Sequence, residues 1–96
     1  MGVYSLSKAA SKDLRSIARY TVKTFGVQQA KIYGESFQVC FKSLAKNPLI
    51  GRENNNIRLG LRRFEHKSHA IFYIQREESI FVIRVLHTAQ DPEKHL

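Results

Sequence analysis

Apolar residues recur along this chain in two rhythms. Ala10, Leu14, Ile17, Ala18, Thr21 and Phe25 fall at spacings of three and four, and so do Ala30, Tyr33, Phe37, Cys40, Phe41 and Leu44. That period places each set on one face of a helix. The first helix is predicted over 8–25, with Ser7 or Ser11 offering an oxygen to cap its free amides. The second is predicted over 28–46. Gly26 suits the left-handed position that closes a helix, and Asn47-Pro48 ends the second one. Two amphipathic helices joined by a glycine turn predict an antiparallel hairpin with one shared apolar side.

Beyond Pro48 the rhythm changes. Residues 49–58 (LIGRENNNIR) are polar and read as a long, mobile loop. Leu61–Glu65, Ala70–Gln75 and Ser79–His87 then alternate with period two and are separated by short polar turns, as three successive strands would be. Val3–Ser7 alternates in the same way and predicts a short first strand. The predicted architecture is one α+β domain over residues 1–96. Its segments are a strand (1–7), the helical hairpin (8–25 and 28–46), a loop (47–58), a three-strand region (59–87) and a tail (88–96). Short turns between strands imply antiparallel pairing, so the hairpin is expected on one face of a small antiparallel sheet.

Charge narrows the function. Sixteen Lys and Arg against eight Asp and Glu give a net charge of +8, which favours an anionic partner such as nucleic acid or an acidic polypeptide. Lys8, Lys12, Arg15, Arg19 and Lys23 share an arc of about 80° on the first helix, opposite its apolar face. No aromatic residue interleaves with them, and such stripes are most often a solvated face. No apolar run reaches the roughly 18 residues of a membrane span, and residues 1–15 show no signal-peptide pattern. The single cysteine, Cys40, allows no internal disulfide and fits a cytoplasmic location. His66 and His69 have a spacing seen in metal sites. They bracket a turn with no ligand set around them and read as turn residues, so neither a metal nor a cofactor is expected.

The last predicted strand carries the most information. Its run Ile80-Phe81-Val82-Ile83-Arg84-Val85-Leu86 is apolar on both alternating faces apart from one arginine. Strict alternation sends Phe81, Ile83 and Val85 to the helices, and Val82, Arg84 and Leu86 to the open face. A fixed guanidinium in an apolar groove suits a peptide bearing a carboxylate. Alternatively, Arg84 pairs locally with a glutamate such as Glu65 and only stabilises the sheet.

Several pieces, in order, resemble a known family over nearly the whole chain. They are Ala9-Ala10, Asp13-Leu14 and Ile17; Gly26 with Gln29-Ala30; Leu44-Ala45, Asn47-Pro48 and Gly51; Gly60-Leu61-Arg62 and Phe64. The series ends with Ser68-His69-Ala70-Ile71-Phe72-Tyr73 and Arg84-Val85-Leu86-His87, followed by Asp91. Each piece alone is weak, but their order and spacing resemble the ParE toxins of the RelE/ParE group in bacterial type II toxin–antitoxin systems. The resemblance implies a basic toxin that poisons DNA gyrase by direct binding and is held inactive by a small acidic antitoxin. It implies no sequence-specific DNA binding by the toxin itself. RelE-like relatives instead cleave mRNA on the ribosome, with basic residues and often a tyrosine or histidine on the open sheet face and in the tail.

Here the strand entry Ser68-His69-Ala70-Ile71 has alanine where RelE-like nucleases tend to carry arginine, and the tail Thr88-Ala89-Gln90-Asp91-Pro92 has neither arginine nor tyrosine. The constellation for 2′-OH attack is largely missing, which favours the non-enzymatic branch with no catalytic residue. His87 is the one residue that supports a ribosome-dependent mRNA endonuclease, as a general base or acid near Arg84. Its alternative is a strand-end histidine bonded to the tail backbone or to Asp91. A degenerate toxin that serves only as a binding partner is a third possibility. ParE-like sequences often place an arginine between this histidine and the aspartate, where this chain has Thr88-Ala89-Gln90. The residues expected at the antitoxin or target surface are Arg62, Val82, Arg84, Leu86 and His87, with Arg62 chosen over Arg63 on the resemblance.

Overall fold

The computed structural model describes residues 3–96, so residues 1 and 2 of the expected first strand segment lie outside it. Strand β1 (Val3–Leu6) leads into helices α1 (Lys8–Phe25) and α2 (Val27–Lys46), followed by β2 (Arg52–Glu53), β3 (Leu61–His66), β4 (His69–Arg76) and β5 (Ser79–His87). A single 3-10 turn, Pro92–Lys94, closes the chain. The α+β architecture is as expected, with the helical hairpin against one face of the sheet.

Local chemistry explains the helix limits. Of the two serines expected as caps, Ser7 is the one that caps α1, just beyond the end of β1: its Oγ accepts the Ala10 amide at 2.9 Å and donates to the Ile83 carbonyl at 2.6 Å. Gly26 has φ +96°, a backbone that side chains disfavour, and it serves both as the last cap of α1 and the first of α2. One residue therefore reverses the chain between two helices.

The sheet differs from expectation in its pairing. Its order is β1-β5-β4-β3-β2, and β1 runs parallel to β5, so the sheet is mixed rather than antiparallel. The connection from β1 to β5 contains both helices and is long enough for a parallel crossover, which a short turn cannot make. This places β5 inside the sheet, between β1 and β4, and its apolar residues pack on both faces, Ile80, Val82 and Val85 in the cluster under the helices and Leu86 with Ile83 in the cluster on the far face. The loop also holds an element the sequence did not announce. Arg52 and Glu53 pair with Arg63 and Arg62 as a two-residue edge strand, and Ile57 tucks against the far face of the sheet.

The core has two parts. Ala10, Phe37, Phe41, Leu44, Tyr73 and Val82 lie in the cluster between the helices and the sheet. Leu61, Ala70, Phe72 and Leu86 form a second cluster on the far face, with Ile57, Ile74 and Ile83 packed against it. That face was expected to be open, and its centre is instead buried.

The parity of β5 is also corrected. Tyr73 pairs with Val82 and Phe72 with Arg84, so Ile83 is an extra residue in β5, a bulge. Before the bulge Ile80 and Val82 face the helices; after it Val85 does. Phe81 and Ile83, expected beneath the helices, lie toward the far face with Ile74. Val82, expected on the open face, is fully buried under the hairpin. One inserted residue reverses the side of everything preceding it, and strict alternation cannot anticipate that.

Candidate functional site

Arg84 meets neither a free groove nor Glu65. Beyond Leu6 the edge of β5 is no longer covered by β1, and α1 runs alongside it. Asp13 fills the gap: its carboxylate receives Arg84 Nε and Nη2, each at 2.8 Å, and the Val85 amide at 2.9 Å. Arg84 Nη1 donates to the His95 carbonyl at 3.0 Å, tying in the tail. The two side chains are only 22% and 14% exposed, so this forked, charge-assisted pair sits largely out of water. The Asp13 bonds raise the Arg84 pKa further above its ordinary range, against the opposing effect of burial. The sequence does carry a signal for Asp13, since it is the only carboxylate before Glu35.

Arg62 lies opposite Tyr73 and therefore on the helix side of the sheet. Its Nη1 donates to the Gly51 carbonyl at 2.6 Å, and Nη2 stands 3.6 Å from Glu53. Tyr73, fully buried, accepts the Gly51 amide at 2.9 Å and donates to the Pro48 carbonyl at 2.7 Å. Burial pushes its phenol pKa up. A Cβ at Gly51 would collide with this tyrosine, so the loop that follows α2 is fastened from two sides. Arg63, not Arg62, shares the far face with Arg84; it lies over the Phe72 ring at 5.3 Å and pairs with Glu65 at 3.1 Å.

At the other end of the sheet, histidines meet α2. His66 Nε2 lies 2.9 Å from Ser36 Oγ, and His69 Nδ1 lies 2.7 Å from Tyr33 Oη. The Ser36 hydroxyl donates to the Tyr33 carbonyl at 2.6 Å, so His66 must be the donor in its bond with Ser36. Both imidazoles have lowered pKa values, chiefly from burial, with Lys67 adding to the effect at His66 and His87 and His66 adding to it at His69. Burial also raises the Tyr33 phenol.

His87 is exposed, and its ring meets His69 edge-on at 5.5 Å. Its Nδ1 accepts the Ala89 amide at 3.0 Å, which is the tail-backbone bond rather than a bond to Asp91. Nε2 is thereby left as the protonated, donating nitrogen of the neutral ring. Asp91 instead accepts the Glu93 amide at 3.0 Å.

A furrow runs between the hairpin and this end of the sheet. One cavity of about 520 Å³ includes Tyr20, Phe25, Ile32, Tyr33 and His69, and a neighbouring one of about 430 Å³ continues past Tyr20 and Phe25 to His87. Tyr20 and Phe25 are each 66% exposed, although Phe25 belongs to the apolar period of α1. The five cations of the α1 stripe are all exposed, as a solvated face should be.

Of the five residues expected at a partner surface, then, only His87 is exposed. Val82 and Leu86 are buried, and Arg62 and Arg84 are bonded within the fold. Together these features define a small basic α+β domain whose arginines brace its loops and edges, with an apolar furrow beside the histidines.

The family model described as "ParE toxin of type II toxin-antitoxin system, parDE" matches residues 4–92. Toxin ParE1 of Caulobacter vibrioides is 35% identical over 96 residues, covering 100% of this chain and 99% of its own. Toxin ParE1 of Mycobacterium tuberculosis is 39% identical over 94 residues, covering 97% and 96%. Among solved structures, a chain of the chromosomal ParDE TA system from P. aeruginosa superposes with a TM-score of 0.74 at 20% identity, covering 91% of this chain and 96% of that one; it shares the fold. The chain belongs to the ParE toxin family of type II toxin–antitoxin systems.

Proposed function

We propose that this ParE toxin acts in the cytoplasm without catalysis, by binding DNA gyrase, and is neutralised by a small acidic antitoxin. The observation that carries this reading is the state of its two candidate reactive groups. Arg84 is clasped by Asp13, and His87 has its Nδ1 lone pair committed to Ala89, so neither is presented as a free cation or general base. The surface offers binding features instead. No carboxylate occurs from Leu14 to Gly34, and this stretch supplies Arg15, Arg19 and Lys23 of the cationic stripe together with the apolar lip of the furrow. An acidic segment with apolar anchors complements that combination. His87 is retained as a direct contact in the proposed surface, with Arg62, Val82, Arg84 and Leu86 supporting it from within.

A purified gyrase assay tests the reading. Micromolar toxin should block supercoiling or trap cleaved DNA, and adding the antitoxin should restore activity; unchanged supercoiling with no trapped complex contradicts it. One observation favours the mRNA endonuclease instead, namely the 5.5 Å approach of the His69 and His87 rings. That reading requires ribosome-dependent, codon-phased cuts in mRNA that disappear in His87→Ala.

A further inference from the structure

Two imidazoles make side-chain bonds between α2 and the β3–β4 end of the sheet. His66 and His69 flank the two-residue turn Lys67-Ser68, and each bonds a different side chain of α2. Their rings are layered with aromatic partners: His66 stacks with Tyr33 at 6.0 Å and meets Phe37 at 4.9 Å, and His69 meets both Tyr33 and Phe37 at 5.8 Å. Lys67, Ser68 and His69 form the sheet-side wall of the 520 Å³ cavity, opposite Tyr20 and Phe25. We propose that this end of the sheet is a proton-operated latch: neutral His66 and His69 hold the turn against α2, and their protonation releases it and opens that wall of the cavity.

The surroundings give the latch its direction. The titratable groups facing the two rings are Tyr33 and Cys40 from α2, Tyr20 from α1 across the cavity, His87 from β5 and Lys67 from the turn. No carboxylate lines any of the three cavities these histidines adjoin. Glu65, next in sequence to His66, is on the far face with Arg63. Added protons therefore meet only neutral or like-charged neighbours in a half-buried site. The bonding capacity changes as well: an imidazolium can only donate, so a charged His69 could accept a proton from neither the Tyr33 nor the Ser68 hydroxyl beside its Nδ1.

Amide hydrogen exchange by NMR on the full chain, at pH 7.5 and 5.5 and corrected for intrinsic rates, tests the latch. Protection of His69 and Ala70 should fall about tenfold or more at the lower pH relative to Ile80 and Val82, where β1 covers β5. The selective fall should vanish in His66→Gln/His69→Asn, which keeps hydrogen-bonding groups in place without a titrating ring. Equal changes at both places, or a selective fall that survives in the double variant, would overturn the proposal. If the double variant does not fold, His87→Gln decides. Removing one like charge from beside His69 should shrink the selective fall, and an undiminished fall counts against the latch.

Discussion

The helical hairpin is fastened to the sheet at two places by opposite chemistry. At the α1–β5 seam a carboxylate and a guanidinium meet in a fork, and Asp13 also satisfies the Val85 amide that no strand covers. At the α2–β3–β4 seam the ties are neutral: imidazole to hydroxyl, stacked among phenyl and phenol rings. The charged seam cannot lose one partner without stranding the other in a poorly hydrated place. The neutral seam can lose a bond cheaply, yet it is exposed to any proton that converts its imidazoles to cations. A fold of 96 residues thus has one seam held by a charged pair and one held by imidazoles that a proton would convert to cations.

The largest effect should come from breaking the charged seam. Asp13→Ala is expected to destabilise the fold by about 3–5 kcal/mol, because Arg84 and the Val85 amide both lose their partner. Urea denaturation checks this, and a loss below about 1 kcal/mol would show that Arg84 finds another partner or reaches water. The loop fastening near the same helical layer is next in size. Tyr73→Phe removes the group that accepts the Gly51 amide and donates to Pro48, and should cost about 1–3 kcal/mol in the same assay.

The neutral seam predicts a pH dependence with a definite sign. His66 and His69 have folded pKa values below the unfolded value of 6.5, so the unfolded chain binds protons first as pH falls. Their contribution is complete above pH 6.5 and is lost as pH falls from there toward the folded values. Urea midpoints should therefore drop between pH 7 and 5 in the parent chain, and less steeply in His66→Gln/His69→Asn. The smallest effect belongs to His87→Ala. Its ring is exposed, accepts one bond from the Ala89 amide and meets His69 edge-on, so stability should change by roughly 0.5 kcal/mol or less. A larger loss would make His87 a structural residue and weaken its place in the binding surface.

These seams also mark where the sequence could be read and where it could not. The helices, their glycine turn and the three later strands were legible because periodicity, capping and turn chemistry are local properties. The partner of Arg84 was not, since Asp13 is 71 residues away and only the parallel pairing of β1 with β5 brings α1 to that edge. Likewise, the bulge at Ile83 arises from pairing across strands, and it put Val82 beneath the helices when alternation had placed it outside. Arg62 and Arg63 exchanged roles for a similar reason: which of them faces the helices depends on the register with Tyr73 and Phe72. The apolar residues of β5 told of burial on both faces, but not that the far face would be closed by Ile57 from a loop read as mobile.

The claim on which the functional reading leans most is that Arg84 belongs to the fold before it belongs to any partner. A double-mutant cycle on Asp13→Ala and Arg84→Ala, measured by urea denaturation, tests it directly. The account predicts a coupling energy of about 2 kcal/mol or more, with the double variant little worse than either single one. Additive losses, with coupling below about 0.5 kcal/mol, would contradict it and return Arg84 to the surface as a free cation for a partner.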